Sequence, residues 1–84
     1  MNTHATIVHA RCPFMPVWDY YEVTFTTKEF IKCEELENAC DEVRGVVKAT
    51  QEEIAMHLRI TLPEHVHIKV VGRHGSNCLT EITL

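Results

Sequence analysis

No run of about 18 apolar residues occurs in the 84-residue sequence, so no membrane-spanning segment is expected. Basic residues are scarce: eight Lys and Arg stand against twelve Asp and Glu, a formal net charge of −4 with histidine neutral. That balance excludes a broad electrostatic nucleic-acid surface, which needs a basic face, but leaves recognition of a single base open. The cysteines, Cys12, Cys33, Cys40 and Cys78, show no C-x-x-C spacing, which removes support for a zinc finger or a thioredoxin motif. The opening Met-Asn-Thr-His-Ala-Thr lacks the charged and apolar regions of a secretory leader. A cytoplasmic protein with reduced thiols is therefore expected. Internal repeats, low-complexity stretches and linkers are also lacking, so residues 1–84 read as one domain. That length has no room for a full dinucleotide-binding domain, a TIM barrel or a kinase.

Hydrophobic residues make up 45% of the chain, too many for a disordered tail. A core of this size is only marginally sufficient alone, and association of copies is a common remedy. Function is accordingly expected to lie partly between subunits.

The apolar pattern divides the chain into strands and helices. Residues 5–11 read as a strand, and Cys12-Pro13-Phe14-Met15-Pro16 as a loop, because prolines remove ladder donors. Residues 19–26 alternate, with Tyr21, Val23 and Phe25 on one face. A short third strand or extended arm is expected at about 29–32. From Glu34 the period changes: Leu36, Ala39, Cys40, Val43 and Val47 fit a helical stripe, which Gly45 ends or bends. Thr50-Gln51-Glu52-Glu53 has capping-box spacing and opens a second helix, in which Ile54, Ala55, Met56 and Leu58 follow, stopping before Pro63. Val66, Ile68 and Val70 alternate as a strand, 72–77 form a turn, and 78–83 return as the last strand. The expected fold is α+β: a four-stranded antiparallel sheet with a helix pair on one face. Its open edges need a partner, and closure of several copies into a barrel would supply one.

Several residues carry chemistry. Cys12 follows a strand at a Pro-rich loop, and Asp19 lies seven residues on, at the start of the next strand. If the loop folds back, a thiolate nucleophile and a proton-transfer carboxylate come together. The competing reading makes Cys12 a small buried apolar group and Asp19 a turn residue. Capping accounts for Glu53, whereas Glu52 has no such task and could accept two parallel N–H bonds from a guanine-like edge. His65 and His67, with His74 and Cys78 across the next turn, tempt a zinc reading, but the spacing of a closed site is absent and no metal is expected. Cys33 and Cys40 read as packing residues. Any polynucleotide contact has to come from a local patch, for instance one including Arg11, Arg44, Arg59 or Arg73.

Cys12-Pro13 followed by Asp19 resembles the C-P-x5-D motif of the queuosine-pathway nitrile reductase family (QueF) and its shorter archaeal relatives, the QueF-like amidinotransferases. Asp19-Tyr20-Tyr21-Glu22-Val23 continues like the family strand. Glu34-Glu35-Leu36, Val43-Arg44-Gly45 and Gln51-Glu52-Glu53-Ile54-Ala55 resemble the amidinotransferase pattern E-E-F, Y-R-G, H-E-E-L-A, and Val66 to Gly72 the next strand. The likeness covers about residues 8–83.

This resemblance implies the tunnelling fold (T-fold), in which β-β-α-α-β-β units associate into barrels with sites at subunit interfaces. It implies that Cys12 attacks the nitrile of 7-cyano-7-deazaguanine, free or in nucleic acid, to give a thioimide. Asp19 would move the proton and Glu52 would hold the base. The reductase branch carries an E-S-K-S-x-K type segment for NADPH. The corresponding stretch here, Ile31 to Glu37, has acids where lysine is wanted, and these would repel cofactor phosphates. Ammonia addition, with no cofactor, fits better than NADPH-dependent reduction. Gln51 stands where the family has histidine and one residue is inserted after Gly45, so Glu52 and Glu53 both remain candidates for the base-binding carboxylate. A non-catalytic T-fold module binding a purine or pterin is the reading from a different class.

Overall fold

Alternation along the strands puts Val8 and Ala10, Tyr21, Val23 and Phe25, and Val66, Ile68 and Val70 on one face of a sheet, all buried. The computed structural model describes residues 1–14, 17–45, 49–74 and 77–84. The elements are β1 (Asn2–Arg11), β2 (Trp18–Thr27), α1 (Cys33–Asp41), α2 (Gln51–Thr61), β3 (His67–His74) and β4 (Cys78–Thr83). The strands form one antiparallel sheet in the order β1-β2-β3-β4. Leu36, Ala39 and Cys40 of α1 and Ile54, Ala55 and Leu58 of α2 close the core over one face.

The capping box forms as expected: Thr50 Oγ1 accepts from the Glu53 amide at 3.1 Å, and Glu53 Oε1 accepts from the Thr50 amide at 3.4 Å. Three expectations are corrected. No strand occupies 29–32, because the Glu29 amide and carbonyl both bond the buried Thr27 hydroxyl, which turns the chain off the sheet. β3 continues through Gly72 to His74, so the turn is shorter than 72–77. Cys33 is exposed at the first position of α1, whereas Cys40 packs as expected. Val47 and the Met15-Pro16 part of the loop fall outside the described residues.

Helix α1 ends at Asp41, and Val43 reaches the core from the turn that follows. Gly45 in that turn has φ +72°, a backbone conformation that suits glycine. Its amide donates to the His9 carbonyl at 2.8 Å. Beside it Arg44 donates to the Ile7 carbonyl at 3.0 Å and the Thr6 hydroxyl at 2.6 Å, while Asp41 and Glu37 hold its guanidinium at 2.6 and 2.7 Å. The Arg44 hydrogen bond draws the Glu37 carboxyl below its usual range. Arg44 and Gly45 thus cover the middle of the β1 edge, where unpaired carbonyls would otherwise invite another strand.

Candidate active site

The β1–β2 connection folds back on itself. Arg11 pairs with Trp18 as the last register pair, and the Cys12 amide then donates to the Val17 carbonyl at 2.9 Å. Cys12 continues the inward positions Val8 and Ala10, and Asp19 begins the inward series Tyr21, Val23, Phe25. Both side chains therefore fall on the helix side of the sheet. A cavity of about 220 Å³ opens there, lined by Cys12, Pro13, Phe14, Asp19, Tyr21, Thr50, Gln51, Glu52 and His74. It is smaller than the usual ligand pocket of about 300–1,000 Å³.

Tyr21 forms the inner wall. Its ring is 2% exposed, and its hydroxyl donates to Asp19 Oδ2 over a long 3.4 Å. Burial first, and the Asp19 charge second, raise the phenol well above its ordinary value, so it stays a donor. The ring lies across Gly72, its register partner on β3. A methyl at Gly72 would come within 2.5 Å of two Tyr21 ring carbons and 3.2 Å of Gln51 Oε1. Neither neighbour is a loose chain end. Gly72→Ala is therefore expected to lower stability by about 1–3 kcal/mol. Thermal unfolding checks this, and an unchanged melting temperature would show that the Tyr21 ring yields.

The floor is the start of α2. Gln51 is buried, and its amide nitrogen donates to the Val70 carbonyl at 3.1 Å and the Thr80 carbonyl at 2.8 Å. These bonds tie the helix N-terminus to β3 and β4. Gln51 Oε1 in turn accepts from His74 Nε2 at 2.8 Å. Glu52 is exposed on the cavity wall, in the first turn where the helix dipole favours a carboxylate. Glu53 is not among the lining residues; its carboxylate bonds Thr50. The cavity is open, with Phe14 85% exposed at its mouth.

The sequence points to Cys12, Asp19 and Glu52 but not to Tyr21, Gln51 and His74 as their neighbours. The parity of Val66, Ile68 and Val70, carried on through Gly72, would have placed His74 on the inward side. His65 and His67 lie elsewhere, at a cleft with Met1, Thr26, Thr27, Lys28 and Glu29, where His65 stands 3.6 Å from Glu29. Among the described residues no three His, Cys, Asp or Glu side chains gather into a metal site. The four arginines do not act as one patch. Arg44 is engaged as above, and Arg59 binds the Pro63 and Val66 carbonyls. Arg11 and Arg73 are exposed on the uncovered face of the sheet, Arg11 opposite Trp18 in the register. His9 packs against Trp18 and Tyr20 on that face, with ring centroids 5.7 and 6.0 Å apart.

Among solved structures, the chain matches the crystal structure of the archaeosine synthase QueF-Like in the apo form with a TM-score of 0.80. The match covers 99% of this chain and 89% of that one, at 20% sequence identity. The chain has the fold of that synthase. It is a T-fold unit, in the β-β-α-α-β-β order described above. No family model and no curated protein matches the sequence. No helix among the described residues is long and apolar enough to cross a membrane.

Proposed function

We propose that the protein is a QueF-like enzyme that converts the nitrile of 7-cyano-7-deazaguanine to a formamidine through a thioimide on Cys12. The observation that supports this reading most directly is the shared cavity of Cys12, Asp19 and Glu52 beneath the Tyr21 ring. A nitrile carbon is electrophilic and suits a thiolate. The Cys12 sulfur forms the C–S bond, and the nitrile nitrogen takes up the thiol proton, with Asp19 as carrier. Ammonia then attacks the thioimide carbon, the C–N bond forms, the C–S bond breaks, and the thiol is restored. Nitrile plus ammonia gives amidine, with no net oxidation. Glu52 accepts the parallel N–H donors of the guanine-like edge, and Phe14 and Tyr21 provide flat apolar walls.

Two features support a substrate carried in nucleic acid as well as free base. Trp18, Tyr20, Arg11 and Arg73 are exposed on the uncovered face of the sheet, each next in sequence to a cavity residue. Such rings stack on bases, and the guanidinium groups meet phosphates. The open mouth of the cavity also supports completion of the site by a second copy. The uncovered stretch of β1 before Thr6 and the outer edge of β4 are the places for strands to pair, because Arg44 and Gly45 occupy β1 between Thr6 and His9.

A native mass spectrum of the protein incubated with the nitrile tests the reading. The expected result is an assembly of several copies, each carrying one added nitrile. Ammonium should release the formamidine, while NADPH should leave the adduct in place. Release by NADPH would establish the reductase alternative. Tight ligand binding with no covalent mass would establish a non-catalytic purine or pterin module, and a monomer bearing the adduct would overturn the interfacial site.

A further inference from the structure

The geometry points to His74 as the proton acceptor of the ammonia step, held by Gln51 so that its Nδ1 faces the chemistry unprotonated; this rests on the nitrile reading above. The argument begins with the Gln51 amide. Carbonyls only accept hydrogen bonds, so the two backbone carbonyls of Val70 and Thr80 fix which end of the amide is nitrogen. Gln51 is 2% exposed, so water does not compete for that orientation. Its oxygen is left toward His74 Nε2 at 2.8 Å, and an amide oxygen can only accept. The neutral imidazole therefore carries its proton on Nε2. The nitrogen left for a ligand in the cavity is Nδ1, with its lone pair. Gly72 permits the arrangement, since a methyl there would press on both Gln51 Oε1 and the Tyr21 ring.

Asp19 of the same cavity already carries the proton of the adduct-forming step, and the ammonia step moves a second one. When ammonia adds to the thioimide carbon, the attacking nitrogen becomes a cation and has to lose a proton before the amidine can form. The departing Cys12 sulfur has to gain one. Asp19 is already bonded by the Tyr21 hydroxyl, which faces it as a donor. His74 takes the proton from the attacking nitrogen at Nδ1 and returns it to sulfur. One C–N bond forms, one C–S bond breaks, and the proton balance closes. The titratable groups that face His74 are Cys12 and Asp19 from the β1–β2 connection, Tyr21 from β2, Glu52 from α2, and Cys78, its register partner on β4. Gln51 is a positioning residue and does not itself titrate.

The test separates the two halves of the reaction. In His74→Gln the new amide can still donate to Gln51 Oε1, but it offers no basic nitrogen. The Cys12 adduct should still form, while its release by ammonia should slow about a hundredfold. Any rise of the wild-type release rate with pH should be lost in the variant. Release at the wild-type rate with the wild-type pH dependence would overturn the role of His74 and leave the nitrile reading standing. Absence of any adduct in the wild-type protein would remove that reading and this role together. A long-range proton–nitrogen NMR spectrum of the wild-type protein, without ligand, reads the tautomer directly. Nε2–H is expected, and Nδ1–H would overturn the proposal.

Discussion

Cys12→Ser is expected to take up no nitrile covalently, and Asp19→Asn is expected to form the adduct about 10²–10⁴-fold more slowly. Serine keeps the size of the side chain but replaces a thiol, which ionises readily, by a hydroxyl that is a far weaker nucleophile. Asparagine keeps the shape of Asp19 and an oxygen for the Tyr21 hydroxyl, which lies 3.4 Å away, but cannot carry a proton. Both variants should fold, because Cys12 is only half-buried and Asp19 sits at the beginning of β2. Intact mass against time reads both effects. The other cysteines provide the internal control. Burial pushes the Cys40 thiol up to about 11, which leaves little thiolate; Cys33 is exposed at the start of α1, and Cys78, the register partner of His74, is exposed and not among the residues lining the cavity. An adduct that persists in Cys12→Ser, or that maps to Cys33 or Cys78, would place the chemistry outside this cavity.

The parts of the fold that were legible are those in which neighbours in sequence decide the outcome. Strand alternation in Tyr21, Val23 and Phe25 needs only a period of two, and the Thr50–Glu53 capping box closes within one helical turn. Cys12 and Asp19 were legible as a pair for the same reason: they lie on the two limbs of one hairpin. Of the two readings of 29–32, a third strand or an extended arm, the strand failed because a side chain outcompeted the ladder. The Thr27 hydroxyl bonds both polar groups of the Glu29 backbone, and nothing in the hydrophobic pattern announces that. The Arg44 bonds to Thr6 and Ile7 span most of α1 and two strands, so no local rule reaches them. His74 was misread through a turn placed too early. Gly72 resembles turn chemistry in sequence, yet in the fold it is the bare strand position that the Tyr21 ring requires.

The remaining ambiguity of the sequence lies between two adjacent carboxylates, and it yields a second large effect. Glu52→Gln is expected to weaken binding of the deazaguanine base by about tenfold to a hundredfold, the cost of losing about 1.5–3 kcal/mol of charged hydrogen bonding. Glu53→Gln should leave binding unchanged, because glutamine still accepts from the Thr50 amide in a capping box. Glu53→Ala should cost about 0.5–2 kcal/mol of stability instead, by removing half of that box. Calorimetric titration of the Cys12→Ser protein, which holds the base without reacting, separates affinity from turnover. The physical asymmetry is plain in the geometry: the Glu53 carboxylate is engaged by Thr50 at 3.0 Å, whereas Glu52 is exposed on the cavity wall. If Glu53→Gln weakened binding while Glu52→Gln did not, the capping box would have to open on ligand entry. The inserted residue after Gly45 would then have shifted the motif by one position, and the base would approach α2 from its opposite side.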